Sequence, residues 1–280
     1  MASTKTAWIF CVGRDLLEGL VLDRNANFIA TRLSELGIKV RSYQAIDGVQ
    51  TEMVAALRAA LATKPNYVFC AGGMGPSHDD ITRDAVAEVL GLPLAQNSDA
   101  VDMVERGFRR LVAKGGTTNA AMNPTRLRIA SLPKGARPLE NPAGTGPGCV
   151  VTAQGTTLVL LPGVPEEMQR IFSLHVAPLL ATDGQGNLRK TRTIEYAGHD
   201  ESAISAVLAD HGKRFPGVSS RTIRHGTEEF MSIRVTLFGE HADARALDDL
   251  LERAEADLRA RLGVEIAREF QSGTGDSAPR

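Results

Sequence analysis

A glycine-rich segment followed by two acidic residues is the part of the sequence best suited to chemistry. Residues 71–82 read AGGMGPSHDDIT and follow directly on an apolar run at residues 66–71. Glycines after a strand let the backbone approach a ligand, and the free N–H groups at the start of the next helix attract an anion. Because carboxylates repel phosphate, Asp79 and Asp80 favour either a bridging metal ion or recognition of hydroxyl and amine groups.

The same segment also has a simpler, structural interpretation. With Ser77 as the N-cap and Asp80 three residues later, it would form a variant of the capping box, which stabilises a helix by about 1 kcal/mol. A cap alone does not require three glycines and a proline in front of it, so we expect a functional loop in which one acid also caps. Neither GxGxxG nor GxxxxGK[ST] occurs, so no dinucleotide or Walker-type loop is predicted.

Other polar residues follow neighbouring strands of the predicted sheet. Asp15 follows the first strand, Asp23 and Asn25 precede the helix after it, and Asp47 follows the second strand. In an open parallel sheet, ligands bind at the carboxyl ends of the strands, and all four residues belong to that edge. Each alone is more often a cap or turn residue. Together they predict a polar, acidic cleft.

Two further glycine and proline loops and a pair of arginines allow more than one interpretation. NPAGTGPG at residues 141–148 and PGVP at residues 162–165 are, in isolation, ordinary turns. Arg126 and Arg128 are candidate phosphate clamps, although solvated surface arginines fit the pattern nearly as well. His78 is predicted to be an exposed histidine in a loop. The spacing of the histidines in the sequence does not match that of zinc ligands.

The elements that position these groups are predicted from sequence patterns of strands and helices that alternate over the first 180 residues. The pattern is typical of βαβ units and predicts an α/β fold with a doubly wound, mostly parallel sheet. The predicted strands lie at residues 6–12, 38–46 and 66–71, with a hairpin at 149–153 and 157–161. The predicted helices lie at residues 25–36, 51–62, 81–90, 97–113 and 166–180.

A polar segment separates a second, smaller unit. We predict a first domain over residues 1–180, a linker over 181–190, a small α+β domain over 191–266 and a disordered tail over 267–280. Within the small domain, strands are predicted at 191–197, 218–223 and 231–238, and helices at 201–210 and 243–262.

Composition and charge exclude several classes of protein. The chain has 280 residues, with 32 Lys and Arg against 33 Asp and Glu, so the basic excess of a nucleic-acid binder is missing. No stretch approaches the roughly 18 apolar residues of a membrane-spanning helix. The three cysteines Cys11, Cys70 and Cys149 are too widely spaced for a metal knuckle or a disulfide framework, and Cys11 and Cys70 have the setting of buried hydrophobes. We therefore expect a cytoplasmic protein with no nucleic-acid or membrane partner.

Taken in order, five motifs resemble the amino-terminal domain of the CinA (competence/damage-inducible) family, which belongs to the MoaB/Mog, or molybdopterin-binding-like, superfamily. The motifs are GRDLLEG with DRN, AID at residues 45–47, GGMGPSHDDIT, NPAGTGPG and LPGVPEEM, and the resemblance covers about residues 6–180. The chain departs from the family pattern at three positions. Arg14 stands where the family has threonine, Asp15 where it has glutamate, and Ser77 where it has threonine.

The resemblance implies a three-layer α/β/α sandwich whose cleft takes a phosphorylated pterin or a nucleotide. CinA-type domains hydrolyse ADP-ribose and related dinucleotide pyrophosphates with a divalent metal ion, so we expect a metal-dependent hydrolase of ADP-ribose or FAD, using Mg, Mn or Co. One alternative is molybdopterin binding or adenylyl transfer in molybdenum cofactor synthesis, and another is a non-catalytic ligand-binding protein. Relatives form dimers or trimers, so a homodimer or homotrimer is expected.

The resemblance also implies roles for individual residues. The expected catalytic residues are Asp80, Asp79 and Asp47, and the expected metal ligands are Asp15, Asp79 and Asp80. The expected substrate-binding residues are Gly72, Gly73, Gly75, Pro76, Ser77, Thr82, Asn25, Gly144, Gly163 and Pro165.

Overall fold

The computed structural model of the chain describes residues 5–183, 188–197, 200–226 and 231–263. The chain divides into two compact units, residues 1–186 and residues 187–280. A helix continues to Asp183 and the next strand begins at Leu188, so both elements extend into the segment that the sequence predicts as a linker. The predicted tail at residues 267–280 lies outside the described residues.

The first unit contains the strands and helices that the sequence predicts, together with two short helices and three short strands that it does not. Its strands are β1 (Thr6–Val12), β2 (Lys39–Ile46), β3 (Tyr67–Ala71), β4 (Leu94–Gln96), β5 (Ser131–Pro133), β6 (Arg137–Leu139), β7 (Gly148–Ala153) and β8 (Thr156–Leu161). Its helices are α1 (Arg14–Leu17), α2 (Arg24–Glu35), α3 (Gln50–Ala62), α4 (Thr82–Leu90), α5 (Ser98–Ala113), α6 (Pro124–Ile129), α7 (Pro165–Ile171) and α8 (Ala177–Asp183). A π-helical segment, Phe172–Val176, joins α7 to α8.

Six strands form one mostly parallel sheet in the order β2-β1-β3-β8-β7-β6. β1 pairs in parallel with β2 and β3, and β3 pairs in parallel with β8. β7 is antiparallel to β8, so Gly148 at its start lies at the same edge as the carboxyl ends of β1, β3 and β8. Loops that arrive from both directions of the chain therefore meet at one edge of the sheet.

Both faces of the sheet are covered by helices, which gives the three layers predicted from the resemblance. The side chains of β1 alternate: Ile9 and Cys11 pack in one core, and Phe10 and Val12 pack in the other. The first of these cores includes residues of α2, α7 and α8, and the second includes residues of α3 to α6. An apolar run with no polar face is the pattern that a strand buried on both sides produces.

All three cysteines are buried and free. Cys11 lies in the core beneath α2 and α7, whereas Cys70 and Cys149 lie in the core beneath α3 to α6. Burial raises the pKa of the Cys149 thiol to about 12. This confirms that Cys11 and Cys70 are buried hydrophobes, and Cys149 joins them.

The second unit is a small α+β domain, as predicted. Its elements are β9 (Leu188–Ala197), α9 (Glu201–Arg214), β10 (Val218–Gly226), β11 (Met231–His241) and α10 (Ala244–Leu262). The strands form an antiparallel sheet in the order β10-β11-β9. A core of ten buried residues, drawn from the three strands and both helices, holds it together. Of the helices in the described part of the chain, none combines the length and apolar character that crossing a membrane requires.

Candidate functional site

A cleft of about 340 Å³ lies at the sheet edge where the loops meet. Three backbone segments form most of its wall: residues 72–76 after β3, residues 145–146 before β7, and residues 162–164 after β8. Side chains at the cleft include Val12 at the end of β1, Asp80 and Glu167. A volume of this size suits one small ligand.

The two glycines after β3 are required by the way the loop packs. Gly72 has φ +99° and Gly73 has φ +63°, a region that favours glycine. A Cβ on Gly72 would overlap the carbonyl oxygen of Val12, and a Cβ on Gly73 would overlap the Thr82 hydroxyl. That hydroxyl donates to the Gly72 carbonyl at 2.7 Å, so Thr82 fixes the loop rather than lining the cleft.

Asp80 shapes the rest of this loop. Its two carboxylate oxygens accept the backbone N–H groups of Gly75 at 2.7 Å and of Ser77 at 2.8 Å. The following helix begins at Thr82, and its N-cap is Ile81, which makes no side-chain cap. The alternative in which Ser77 caps that helix is therefore wrong. Asp80 instead stabilises its own loop by accepting hydrogen bonds from two of the loop's N–H groups.

A buried arginine holds the same loop from below. Arg83 is only 1% exposed, and its guanidinium donates to the carbonyl oxygens of Met74 at 2.9 Å, Gly75 at 2.6 Å and Ile129 at 2.9 Å. Burial lowers the pKa of this group. The carbonyl groups of Met74 and Gly75 are therefore engaged by Arg83, which also ties the loop to Ile129 at the end of α6.

The two arginines predicted as phosphate clamps bind other parts of the protein. Arg128 donates to the carbonyl oxygen of Ser77 at 2.6 Å and so braces the glycine loop from outside. Arg126 lies 3.7 Å from the ring centroid of Phe108 and donates to the carbonyl of Ala121. Neither lines the cleft.

Two backbone donors of the loop are left for a ligand. Among the residues that the structure describes, none accepts the N–H of Gly73 or of Met74, and both residues line the cleft. Successive N–H groups in a loop with left-handed residues form a concave site that attracts anions.

The cleft wall also includes an acid that is not among the predicted site residues. Glu167 lines the cleft, and its Oε2 accepts the side-chain amide of Asn141 at 2.6 Å. Asn141 is 3% exposed, and its Oδ1 accepts the N–H groups of Ala143 and Gly144. Burial raises the pKa of the Glu167 carboxyl, despite the opposing effect of the Asn141 bond. The residue belongs to the LPGVPEEM motif, but its contact with Asn141 spans 26 positions and leaves no local signal.

Asn25 supports the third wall of the cleft. Its side-chain amide donates to the carbonyl of Gly163 at 2.7 Å, and Gly163 lines the cleft. The residue is 8% exposed, and its Oδ1 atom has no hydrogen-bond partner. A buried amide oxygen that accepts no hydrogen bond costs folding free energy. Asn25 Oδ1 is therefore available to accept a hydrogen bond from a ligand or from a neighbouring segment. Pro165 begins α7, one residue beyond Val164 of the cleft wall.

Residues 8–182 match the family model described as "Probable molybdopterin binding domain", and this match covers more than half of the chain. The chain belongs to the molybdopterin-binding domain family. Protein PAE0875 of Pyrobaculum aerophilum is 38% identical over 204 residues, which are 73% of this chain and 74% of that protein. A CinA-like protein of Myxococcus xanthus is 29% identical over 262 residues, which are 92% of this chain and 59% of that protein.

A solved structure supports the same assignment. CinA from Thermoplasma acidophilum, whose function is described as unknown, superimposes with a TM-score of 0.55 at 31% identity. The match covers 64% of this chain and 98% of that one. The resemblance to the CinA family, with its MoaB/Mog-like first domain, is therefore confirmed.

The remaining predicted acids of this molybdopterin-binding-family domain lie outside the cleft. Asp47 accepts from Arg14, with Nε at 3.3 Å and Nη2 at 3.2 Å, and from the N–H of Gly48 at 2.7 Å. The Arg14 bond lowers the pKa of the Asp47 carboxyl. A Cβ on Gly48 would lie 3.0 Å from the carbonyl oxygen of Asp79, so the loops of Asp47 and Asp79 are in contact.

The predicted metal ligands do not form a preassembled site. Over the described parts of the chain, no group of three or more His, Cys, Asp or Glu side chains is placed to hold a metal ion. Asp80 uses both carboxylate oxygens on backbone N–H groups, and Asp15 and Asp79 are exposed. In this structure Asp15, Asp79 and Asp80 therefore do not form a preassembled site for the predicted divalent ion.

Proposed function

We propose that the cleft binds the phosphate group of a small pterin or nucleotide. The observation that carries this proposal is the pair of unpartnered N–H groups, at Gly73 and Met74, in the wall of a cleft of about 340 Å³. Backbone donors of this kind bind phosphate without a lysine or arginine. A molybdopterin-type ligand is compatible with the family to which the domain belongs.

Glu167 suits the rest of such a ligand. It lines the cleft from α7 and not from the glycine loop, and a carboxylate accepts hydrogen bonds from amino and ring N–H groups. Pterins and purines carry such groups at a distance from their phosphates. We therefore place the phosphate at the glycine loop and the ring toward Glu167.

Hydrolysis of a dinucleotide pyrophosphate such as ADP-ribose or FAD is the second candidate function. The observation in its favour is Glu167, a cleft carboxyl whose pKa is raised by burial, which is the direction that favours a general base. Water would add across the phosphoanhydride bond, and its proton would pass to Glu167. The products would be AMP and ribose 5-phosphate from ADP-ribose, or AMP and FMN from FAD.

Binding is tested by calorimetry with AMP, ADP-ribose, FAD and a pterin phosphate. Val164→Asp adds a negative charge at a cleft residue that is 54% exposed, and we expect it to weaken phosphate binding about five- to tenfold. Val164→Asn is the neutral control of the same size. Leu174→Asp adds the same charge at a residue that is 56% exposed and lies outside the cleft wall. Equal affinities in all three variants would refute the assignment of the phosphate to this cleft.

Turnover is tested separately, by following AMP release from ADP-ribose and FAD with and without a chelator. Release that Glu167→Gln abolishes supports the hydrolase. Release that depends on an added divalent ion would restore the metal-dependent mechanism that the resemblance implies. Binding without release favours a pterin-handling or non-catalytic role, and adenylation of a pterin phosphate by ATP would identify the adenylyl transferase.

Three further expectations stay predictions: the oligomeric state, the location in the cell and the absence of nucleic-acid partners. The resemblance implies a homodimer or homotrimer, which light scattering of the purified chain measures directly. Cytoplasmic location is expected from the cysteine spacing and from the lack of a long apolar stretch, and the balanced charge predicts no nucleic-acid partner.

A further inference from the structure

Arg14 makes a two-point contact with one of the predicted catalytic acids. It is the first residue of α1, directly beyond β1, and its Nε and Nη2 atoms approach the two oxygens of Asp47 at 3.3 and 3.2 Å. A guanidinium fork matches a carboxylate in this way, whereas an ammonium group cannot. Of the two partners, Asp47 is the more enclosed, with 26% of its side chain exposed against 65% for Arg14.

Little of the Asp47 carboxylate is left for another cation. Oδ1 accepts both the Nε–H of Arg14 and the backbone N–H of Gly48, and Oδ2 faces Nη2 of Arg14. The bond to Asp47, with smaller electrostatic contributions from Glu18 and Asp79, raises the pKa of Arg14. The guanidinium therefore lies in the field of several acids at this edge.

We infer that the guanidinium of Arg14 is the cation that occupies this edge of the sheet and that it keeps divalent metal ions away from Asp47. The inference stands on the contacts of Arg14 and is independent of the proposed ligand. It accounts for acids gathered at this edge although, in the described parts of the chain, no group of three acids is placed to hold a metal ion. It also assigns Arg14 a specificity role, because it decides which kind of cation this edge accepts.

Coulomb's law sets the size of the expected effect. An ion of charge +2 bound at Asp47 would lie about 5 Å from the guanidinium. With the dielectric constant of water and screening at physiological salt, removing the guanidinium should raise the affinity for such an ion about fivefold or more. A lower effective dielectric constant near the protein surface would increase this factor.

The test measures Mn²⁺ binding directly by electron paramagnetic resonance, without reference to turnover. The variant is Arg14→Thr, and the matched control is Arg58→Thr, because Arg58 is 63% exposed and also pairs with a single acid, Glu88. We expect Arg14→Thr to bind Mn²⁺ at least fivefold more tightly than the wild-type chain. Arg58→Thr should match the wild type, and adding Asp47→Asn to Arg14→Thr should remove the gain.

Three outcomes would overturn the inference. They are tight Mn²⁺ binding by the wild-type chain that Asp47→Asn removes, equal Mn²⁺ affinity in Arg14→Thr and wild type, and the same gain in both arginine variants. Because the wild-type measurement alone can refute it, the test does not depend on the folding of Arg14→Thr. Failure of ligand binding in the cleft leaves these outcomes unchanged, so the two proposals fail separately.

Discussion

Replacing Arg83 with methionine tests the idea that the glycine loop is held in place from below. Methionine fills much of the space of the arginine stem but cannot donate to the carbonyl oxygens of Met74, Gly75 and Ile129. Those oxygens would lose a charged donor in a site where the side chain is 1% exposed. We expect the variant to be less stable and to bind phosphate ligands more weakly.

The magnitude follows from the balance of two effects. Leaving three buried carbonyls without a donor costs about 1–3 kcal/mol each. Removing a buried cation returns its desolvation penalty, which amounts to several kcal/mol. The net expected loss for Arg83→Met is about 3 kcal/mol, which for a unit of this size lowers Tm by about 6–12 °C.

Urea unfolding followed by tryptophan fluorescence measures this loss in the relevant unit. Trp8 is the single tryptophan of the chain and lies in β1 of the first unit, so its signal reports that unit. Arg126→Met is the control, because Arg126 is partly exposed and donates to one carbonyl only, that of Ala121. We expect this control to lose less than about 1 kcal/mol.

Equal stability of Arg83→Met and the wild-type chain, together with equal affinity for the same ligands, would refute the support of the glycine loop by Arg83. Unchanged stability with lost binding would limit the role of Arg83 to shaping the loop. The stability of Arg83→Lys should lie between those of the wild-type chain and Arg83→Met, because an ammonium group keeps the positive charge but lacks the planar geometry of the guanidinium.

Three more substitutions, one of them with a matched control, probe other parts of the site. Asp80→Asn should cost about 1–3 kcal/mol in urea unfolding, because one of two loop N–H groups loses its acceptor, whereas Asp79→Asn at an exposed position should be neutral. Burial raises the pKa of Glu167, so the native state holds that proton more tightly than the unfolded chain does, and wild-type stability should fall as pH rises through the carboxyl range. Glu167→Gln should remove this slope in thermal unfolding measured from pH 4 to 7 and should leave the chain at least as stable at neutral pH. Gly107→Ala should weaken ligand binding in calorimetry, because its Cβ would lie 2.7 Å from the Cα of Thr145 and would displace that cleft loop.

The strands that build the site could be predicted because their signals are local. The run at residues 6–12 is apolar throughout and ends in glycine, and the structure places β1 at Thr6–Val12. The run at 66–71 differs from β3 by one residue. The glycines after β3 were predicted to let the backbone approach a ligand, and the structure adds a second reason, since a Cβ would overlap the Val12 carbonyl at Gly72 and the Thr82 hydroxyl at Gly73.

What could not be predicted depends on contacts between distant parts of the chain. An arginine in the first turn of a helix is expected in solvent, and Arg83 is buried only because carbonyls 9 and 46 positions away converge on it. The pairing of Arg14 with Asp47 joins the ends of two strands. Helix α6 was missed although it has a local signal, since Asn123 caps it and Pro124 is its first residue.

The placement of the three cysteines lets thiol chemistry separate movements of the two helical layers. A thiol reagent reaches Cys11 only when the layer of α2 and α7 separates from the sheet, and it reaches Cys70 or Cys149 only when the layer of α3 to α6 does. Single-cysteine versions of the chain would therefore report the opening rate of each layer separately. A ligand held by the glycine loop, which joins β3 to α4, should slow the labelling of Cys70 more than that of Cys11.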